Sequence, residues 1–524
     1  MVPTEGHSHP RSISRRRLLH GAGLGGLTLA LGPRFAAAAG PGQLSSVRRR
    51  HDQRMDELMI DLSSEPSNLD PATTYDANGW SVVHSIYDSL VQYGPEGELE
   101  PVLAESLTLI DPLTYEVRLR PGITFHNGEP LDARAVAFSV AHILDEKTGS
   151  QIAGNFAVIS EVKEIDSLTV QLALSRPAPW LPAQIAAWLA LLPPQYAAEH
   201  DFRERPVGTG PYQFVEWKPG ERIVLEVNPD YFSESPKGQP IASRVVYRFV
   251  PEPSTRVADL LAGTAHLVRN VPVDQVAAVE AGGATVVRTP ISGSAWVRVP
   301  TDQEPFGDVR VRQALNYAVD VDAIIDTLLG GNGQRLANFF VPGGLGYDPA
   351  LPPYPYDPER ARALLAEAGY PDGFETSLDY AVGEREDLVT AIAGQLGEVG
   401  VRVKVQAREL ATFNQTWKDQ SVAPLRIVTW RPLFDPYTLL SLLVSNEGFL
   451  SRHDTPRVQP LIDAFSIETD PVTRAEVGRQ LGQALHEEPA AIYLWSLTAL
   501  YGVAADVPAW TPRADDYIIA TARA

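Results

Sequence analysis

The sequence predicts an α/β protein made of two unlike parts, on three observations. Up to about residue 300, apolar and polar residues alternate over short runs, as where Tyr115, Val117 and Leu119 interleave with Glu116, Arg118 and Arg120. That alternation is the pattern of half-buried strands. Beyond it, strand-like and helix-like segments take turns, as they do in a parallel sheet covered by helices. Away from the N-terminus no apolar run reaches the roughly 18 residues of a membrane span; Ile185 to Leu192 is short and fenced by Pro182 and Pro193. The mature chain is expected to be soluble.

The chain opens with Ser14-Arg15-Arg16-Arg17-Leu18-Leu19, a Gly/Leu/Ala run from Gly21 to Gly32 and small residues at Ala36 to Ala39. A basic stretch, a short apolar run and a small-residue cleavage site make an export signal, expected over residues 1–39. The Arg15-Arg16 pair is similar to a twin-arginine signal, whose alternative is an Arg-rich general export signal. His7 and His9 leave with it. Residues 40–57, with Arg48-Arg49-Arg50, read as a flexible leader.

A strand is expected at Leu58-Met59-Ile60, then the turn-rich Glu65 to Pro71, running into Tyr75, Asp76 and Trp80. Asp70 with Pro71 reads as a helix start, and Asn68 and Tyr75 as cleft-lining. Asp132 can cap a helix whose apolar face is Val136, Val140, Ile143 and Leu144, and Leu168 to Leu174 is another alternating strand. In PVGTGPYQFVEWKPGERIVLEVNPDYF, residues 206–232, a Gly/Pro turn precedes two strands hinged at Lys218-Pro219-Gly220. Gly208-Thr209-Gly210 is no phosphate loop, because no helix N-terminus follows to hold an anion. A strand at Val245 to Val250 leads to a helix capped by Ser254 and closed at Gly263.

In the second part Asp308 caps a helix burying Val311, Ala314, Leu315 and Ala318, with a break near Asp320. Asp357-Pro358 opens a helix ended by Gly369. A strand at Leu378 to Val382, a helix from Leu388 to Val399 and strands at Val401 to Val405 and Leu425 to Thr429 follow, then helices and a last strand at Ala491 to Trp495. In such sheets ligands bind beyond the carboxyl ends of the strands, which is where Trp430-Arg431 falls.

Three phrases go together: residues 206–232, the block 101–145 with its Arg-Pro-Gly and Phe-His-Asn-Gly turns, and WVRVPTDQEPFGDVRVRQALNYAVD at 296–320. Together they resemble the signatures of family 5 extracellular solute-binding proteins, the peptide/nickel/opine class that serves ABC importers, although Pro300 stands where many relatives carry Asn. The resemblance implies a two-lobe periplasmic-binding-protein fold of the cluster C type. It implies a first lobe over residues 58–297 with an inserted subdomain at about 98–200, a second over 298–490 and a return over 491–524. Crossings are expected near Trp296 to Val299 and Ile492 to Trp495.

Such a cleft needs aromatic plates and a few charged groups. Trp430 and Arg431 are the leading candidates; the alternative is a Trp plugging the sheet edge beside a solvated Arg. Asp435, Asn68, Tyr75, Trp296 and Trp495 complete the ligand-binding set, though Asp435 also reads as a helix cap. Peptide-binding members place an Asp three residues after the Trp to hold the peptide ammonium, and here that position is Leu433. Either Asp435 or Asp76 substitutes, or the solute is no ordinary peptide; Arg431 suits a carboxylate or a hydroxylated group.

The chain has no cysteine, which excludes disulfides, thiolate metal sites and a lipidated N-terminal Cys. Without residues 1–39, 39 basic and 64 acidic residues leave a charge of −25, which repels nucleic acid and anionic lipid. Neither a Gly-x-Ser-x-Gly elbow nor a His-Glu-x-x-His occurs, and His126 and His142 lack metal-ligand spacing. The expectation is therefore a monomeric receptor without metal or cofactor that is no enzyme, is not inserted in a membrane and docks on an ABC permease. Its solute is an oligopeptide, opine or related amino-acid derivative, with an oligosaccharide or nickel chelate as alternatives. An exported hydrolase and a chaperone or sensor partner are readings from other classes.

Overall fold

The computed structural model describes residues 54–523 apart from 75, 95–96, 418, 420–421, 432–434 and 449. The expected signal, nearly all of the leader, Tyr75 and Leu433 lie outside the described residues.

Strand β1 (Met55–Leu62) begins three residues before the expected start, because Met55 already pairs with Ala242. Next come helix α1 (Ala77–Ile86), strands β2 (Ala104–Asp111) and β3 (Thr114–Leu119), helix α2 (Ala133–Leu144), and strands β4 (Ile159–Glu164) and β5 (Thr169–Leu174). Strands β2 to β5 form their own four-stranded antiparallel sheet, on which α2 buries Val136, Val140 and Ile143. The signature hairpin is β6 (Tyr212–Lys218) and β7 (Arg222–Val227), followed by β8 (Ala242–Phe249) and β9 (Leu267–Arg269). Val224 is buried beside Ile223 and Leu225, so the middle of β7 is covered on both faces rather than one.

Two long strands, β10 (Thr285–Arg298) and β14 (Ala491–Val503), run antiparallel along each other. Between them in sequence lie β11 (Phe374–Ala381), β12 (Val401–Arg408) and β13 (Leu425–Trp430), which are mutually parallel as the alternation predicts. The ten-stranded sheet has the order β12-β11-β13-β10-β14-β9-β1-β8-β7-β6. One end, β11 to β13, is the part expected as the second lobe; the other, around β1, is the part expected as the first. Separate apolar cores follow this division, one around Val297, Leu315 and Ile392 and another around Ile60, Val83 and Tyr501.

Most caps fall where the sequence puts them. Asp132, Asp308 and Asp357 each accept a backbone N–H at the expected helix start; Asp320, at the expected break, and Asp470 do the same for two further helices. Two expectations fail. Asp70 caps no helix: it accepts the Ala72 N–H in a tight turn and meets His142 at 2.9 Å, while the helix starts at Ala77 with Asp76 as its cap. The later helix opens at Pro253, leaving Ser254 inside its first turn, because proline there takes the position that needs no N–H donor. Among the described residues no helix is long and apolar enough to cross a membrane.

The Gly208-Thr209-Gly210 turn packs on the end of α1. A Cβ on Gly210 would stand 2.6 Å from the Ile86 carbonyl carbon, so only glycine admits this approach, and the Gly210 N–H donates to the Ile86 carbonyl at 2.8 Å. His126 of the Phe-His-Asn-Gly turn bridges the same loop. One ring nitrogen accepts the Gly208 N–H at 3.3 Å and the other lies 3.0 Å from the Gly210 carbonyl. Beneath them Asp88 is buried with Lys237, whose ammonium also donates to the His84 and Tyr87 carbonyls at 2.8 and 2.9 Å.

Candidate functional site

The two long strands do not pair evenly. From Thr285 with Val503 to Pro290 with Thr498 the register holds; it shifts before Ser294 with Ser496 and again before Trp296 with Tyr493. The irregular stretch thus lies on the first-lobe side of the crossings expected at Trp296 and Ile492. Irregular pairing of this kind bends the strands and increases their twist locally. Gly293 sits in it: a Cβ there would come within 2.9 Å of the Trp430 carbonyl oxygen and the Arg431 Cβ. A residue without a side chain lets this strand lie against the carboxyl end of β13, the edge at which a ligand is expected.

From that end Arg431 reaches across to the first lobe, with its Nε 3.3 Å from Oδ2 of Asp516. Asp516 belongs to the C-terminal tail and is 1% exposed. Arg269 of β9 donates to the same oxygen, and the Tyr501 hydroxyl of β14 donates to Oδ1 at 2.6 Å. The aspartate stands in the left-handed region, φ +67°, which Asp tolerates better than most residues. Its turn is fixed from both sides: Asp515 binds Arg513 at 3.0 Å, and the Ala514 carbonyl accepts the N–H of Ser292 at 2.7 Å in the irregular stretch.

Around this ion cluster stand further polar groups. Arg269 also donates to Asn78 Oδ1 at 3.1 Å at the head of α1, and its Nε is buried without an acceptor. Burial pushes the Asp76 carboxyl up, while the Gly79 and Asn78 N–H groups and Arg269 pull it down. Glu384, in the loop after β11, is open to water. Surrounding protein nevertheless raises its pKa, with Arg431 acting against the rise.

The lobes meet a second time through aromatic rings. Trp180, on the core of the four-stranded sheet, stacks on Tyr437 at 4.2 Å and 8° between planes, and Arg176 donates to the Tyr437 hydroxyl at 2.7 Å. Tyr437 packs against the second-lobe core as well, so one side chain belongs to both bodies.

Of the residues singled out from sequence, the structure brings Trp430 and Arg431 together at the strand end, with Trp430 half-buried on the core of Phe413 and Trp417. Trp296 and Trp495 are core residues, 2% and 4% exposed. Trp296 meets Phe339 edge to face, and its indole N–H is buried without an acceptor. Asn68 serves its own turn: its side-chain oxygen accepts the Asp70 N–H at 2.9 Å and the Thr73 hydroxyl at 2.8 Å. Asp435 is held by both terminal nitrogens of Arg474, at 2.6 and 3.1 Å, and accepts the Tyr437 N–H at 3.0 Å. It and Asp76, the two carboxylates expected to replace the missing ammonium partner, are thus committed, one to an arginine and one to a helix cap. Asp516, Arg269, Tyr501 and Asn78 were not foreseen; no motif surrounds them, and only the paired Asp515-Asp516 in the tail offered a signal. Among the described residues no group of three metal-binding side chains occurs.

The sequence pattern of the bacterial extracellular solute-binding proteins, family 5, matches residues 98–451. The glutathione-binding protein GsiB of Pectobacterium atrosepticum is 32% identical over 363 residues, 67% of this chain and 69% of that one. Among solved structures, AgaA of A. tumefaciens R10 in complex with agropinic acid is 27% identical, covers 85% of this chain and 93% of its own, and superposes with a TM-score of 0.73. The substrate-binding protein CtaP of Listeria monocytogenes shares the fold at a TM-score of 0.80 and 23% identity, over 89% of this chain and 99% of that one. With separate apolar cores on one continuous sheet, the chain belongs to the family 5 extracellular solute-binding proteins, a family that binds solutes rather than transforming them.

Proposed function

We propose that the protein is a periplasmic receptor which captures a small amino-acid-derived solute bearing a carboxylate and delivers it, as a monomer, to an ABC permease. The observation that carries this reading is the contact between Arg431 and Asp516, a cation and an anion from opposite lobes meeting at the strand ends. A guanidinium there matches a carboxylate in shape and charge. Relatives support the class: GsiB proteins are named for binding glutathione, and AgaA was crystallised with agropinic acid, both acids built from amino acids. Trp430 supplies an apolar plate beside the arginine. With Leu433 where peptide receptors carry their ammonium partner and with Asp435 bound to Arg474, the extended-peptide mode has no counter-charge in its usual place.

Closure on the solute is a population shift, so the solute must touch both lobes and prefer the closed form. Arg15-Arg16 supports export by the twin-arginine route, and the absence of cysteine supports a mature form without a lipid anchor. Calorimetry with glutathione, agropinic acid and dipeptides, with small-angle scattering of the same mixtures, tests the reading. A binding acid that compacts the protein is expected. Binding confined to sugars or nickel chelates would refute the solute class.

A further inference from the structure

We propose that Asp516 is a positioning residue of the solute site: from the first lobe it holds Arg431 of the second, so that the guanidinium presents its open edge to a solute carboxylate only when the lobes are closed. This rests on the carboxylate-bearing solute argued above and adds the device that ties its recognition to closure.

The argument is one of geometry and charge. Asp516 cannot follow a moving partner. Its carboxylate is fixed by Arg269 and Tyr501, its backbone by the left-handed turn, and that turn by the Ser292–Ala514 hydrogen bond. Arg431 is the exposed member, with its side chain 35% exposed and rooted in the other lobe. A guanidinium offers two edges to anions, one through Nε and one through its terminal nitrogens. Here Nε faces Asp516, and among the described residues no partner for the terminal nitrogens is found. The edge suited to two parallel bonds from a solute carboxylate is therefore left over and aimed by the bond on the other side.

Were Asp516 there only to neutralise Arg269, nothing would require Arg431 to reach it. Glu384 acts on Arg431 and Asp76 on Arg269 through charge, yet among the described residues neither carboxylate bonds the terminal nitrogens of Arg431, which stay open to a solute carboxylate. An arginine freely rotating in an open cleft gives an acid little advantage over its uncharged amide. One clamped from the other lobe does so, and a clamp that parting lobes would break makes the acid select the form in which they meet.

The test compares glutathione and Ala-Ala, each beside its C-terminal carboxamide, by calorimetry on the wild type, Asp516→Asn, Arg431→Gln and the double variant. The wild type is expected to prefer at least one acid over its amide by about tenfold or more. Asp516→Asn and Arg431→Gln should each bring that ratio close to one, and the double variant should change it no further, as for residues acting as one unit. Arg431→Lys keeps the charge without the fork and should not restore the ratio. Asp516→Glu keeps a counter-charge for Arg269 and moves the carboxylate by one methylene; it should also lower the ratio, and it carries the test if Asp516→Asn does not fold. Equal loss of acid and amide affinity in the Asp516 variants, or an unchanged ratio, overturns the proposal and leaves Asp516 a structural counter-ion. Failure of the wild type to bind any of the four probes overturns the solute reading itself, and this one with it.

Discussion

The turn at Gly208–Gly210 and the strand end at Arg431 are built on opposite plans. The turn is closed on its own molecule: His126 takes both its N–H and its carbonyl, Ile86 takes another N–H, and the Thr209 hydroxyl donates to Asp88 at 3.2 Å beneath it. All of these partners lie in one lobe. At Arg431 the ion pair found among the described residues is with Asp516 of the other lobe, and part of the guanidinium stays in water. The first region spends its polar groups on holding a shape. The second keeps polar groups whose best partners arrive only with closure, as a binding site must.

That contrast predicts a separation of phenotypes, with stability changes on one side and affinity changes on the other. The largest effect is expected from Lys237→Met, which strands the fully buried Asp88 without its cation. Breaking a buried pair by removing one partner costs about 3–5 kcal/mol. Urea unfolding should register that loss, while the folded fraction binds solute as before; altered affinity would erase the distinction between the two regions.

Second comes pH. Burial, the leading cause, lowers His126 from 6.5 to about 4, against the weaker pull of the Gly210 carbonyl and Asp88. Because the folded value lies below the unfolded one, the unfolded chain takes up the proton first as pH falls. The contribution of this site is complete above about pH 6.5, declines from there and levels off below about 4. At 1.36 kcal/mol per unit the loss is at most on the order of 3 kcal/mol. Denaturation series from pH 7 to 4 on the wild type and His126→Asn should differ in slope over that window; parallel curves would mean the ring does not hold the turn.

Smaller still is Tyr437→Ala, which removes the stack on Trp180. Such pairs contribute about 0.5–1.5 kcal/mol beyond their buried area. Since the contact joins the lobes through rings, its loss should expand the solute-free protein in small-angle scattering, with little dependence on salt. An expansion that salt reverses would assign the interlobe contact to charge instead.

The same contrast explains what could be read in the sequence. The hairpin, the helix caps at Asp132, Asp308 and Asp357, and the parallel strands of the second part were legible because each is set by neighbours in the chain: a period, a cap, a Gly or Pro in its turn. Asp70 misled because Asp-Pro has the form of a helix start, and its pairing with His142, 72 residues away, overrode that local signal. Trp430 and Arg431 were legible from strand direction alone. Asp516 was not: its partners Arg269, Arg431 and Tyr501 are brought to it by the register of β9, β13 and β14, and none of these contacts leaves a spacing to read.

The smallest expected change in stability falls on the residue expected to matter most for binding. Arg431→Ala removes an ion pair whose guanidinium is one-third exposed, and pairs of that kind contribute about 0–1 kcal/mol after solvent screening. Its unfolding curve should nearly overlay that of the wild type. Affinity for an acidic solute should nonetheless fall by about tenfold or more, which is 1.4 kcal/mol, because the solute's carboxylate loses its partner where water has been excluded. Raising salt should weaken wild-type binding and leave the variant nearly unaffected, since the screened charge is already gone. Equal salt dependence in both would place the solute's charge elsewhere in the cleft, with Glu384 or Asp76 as the next groups to vary.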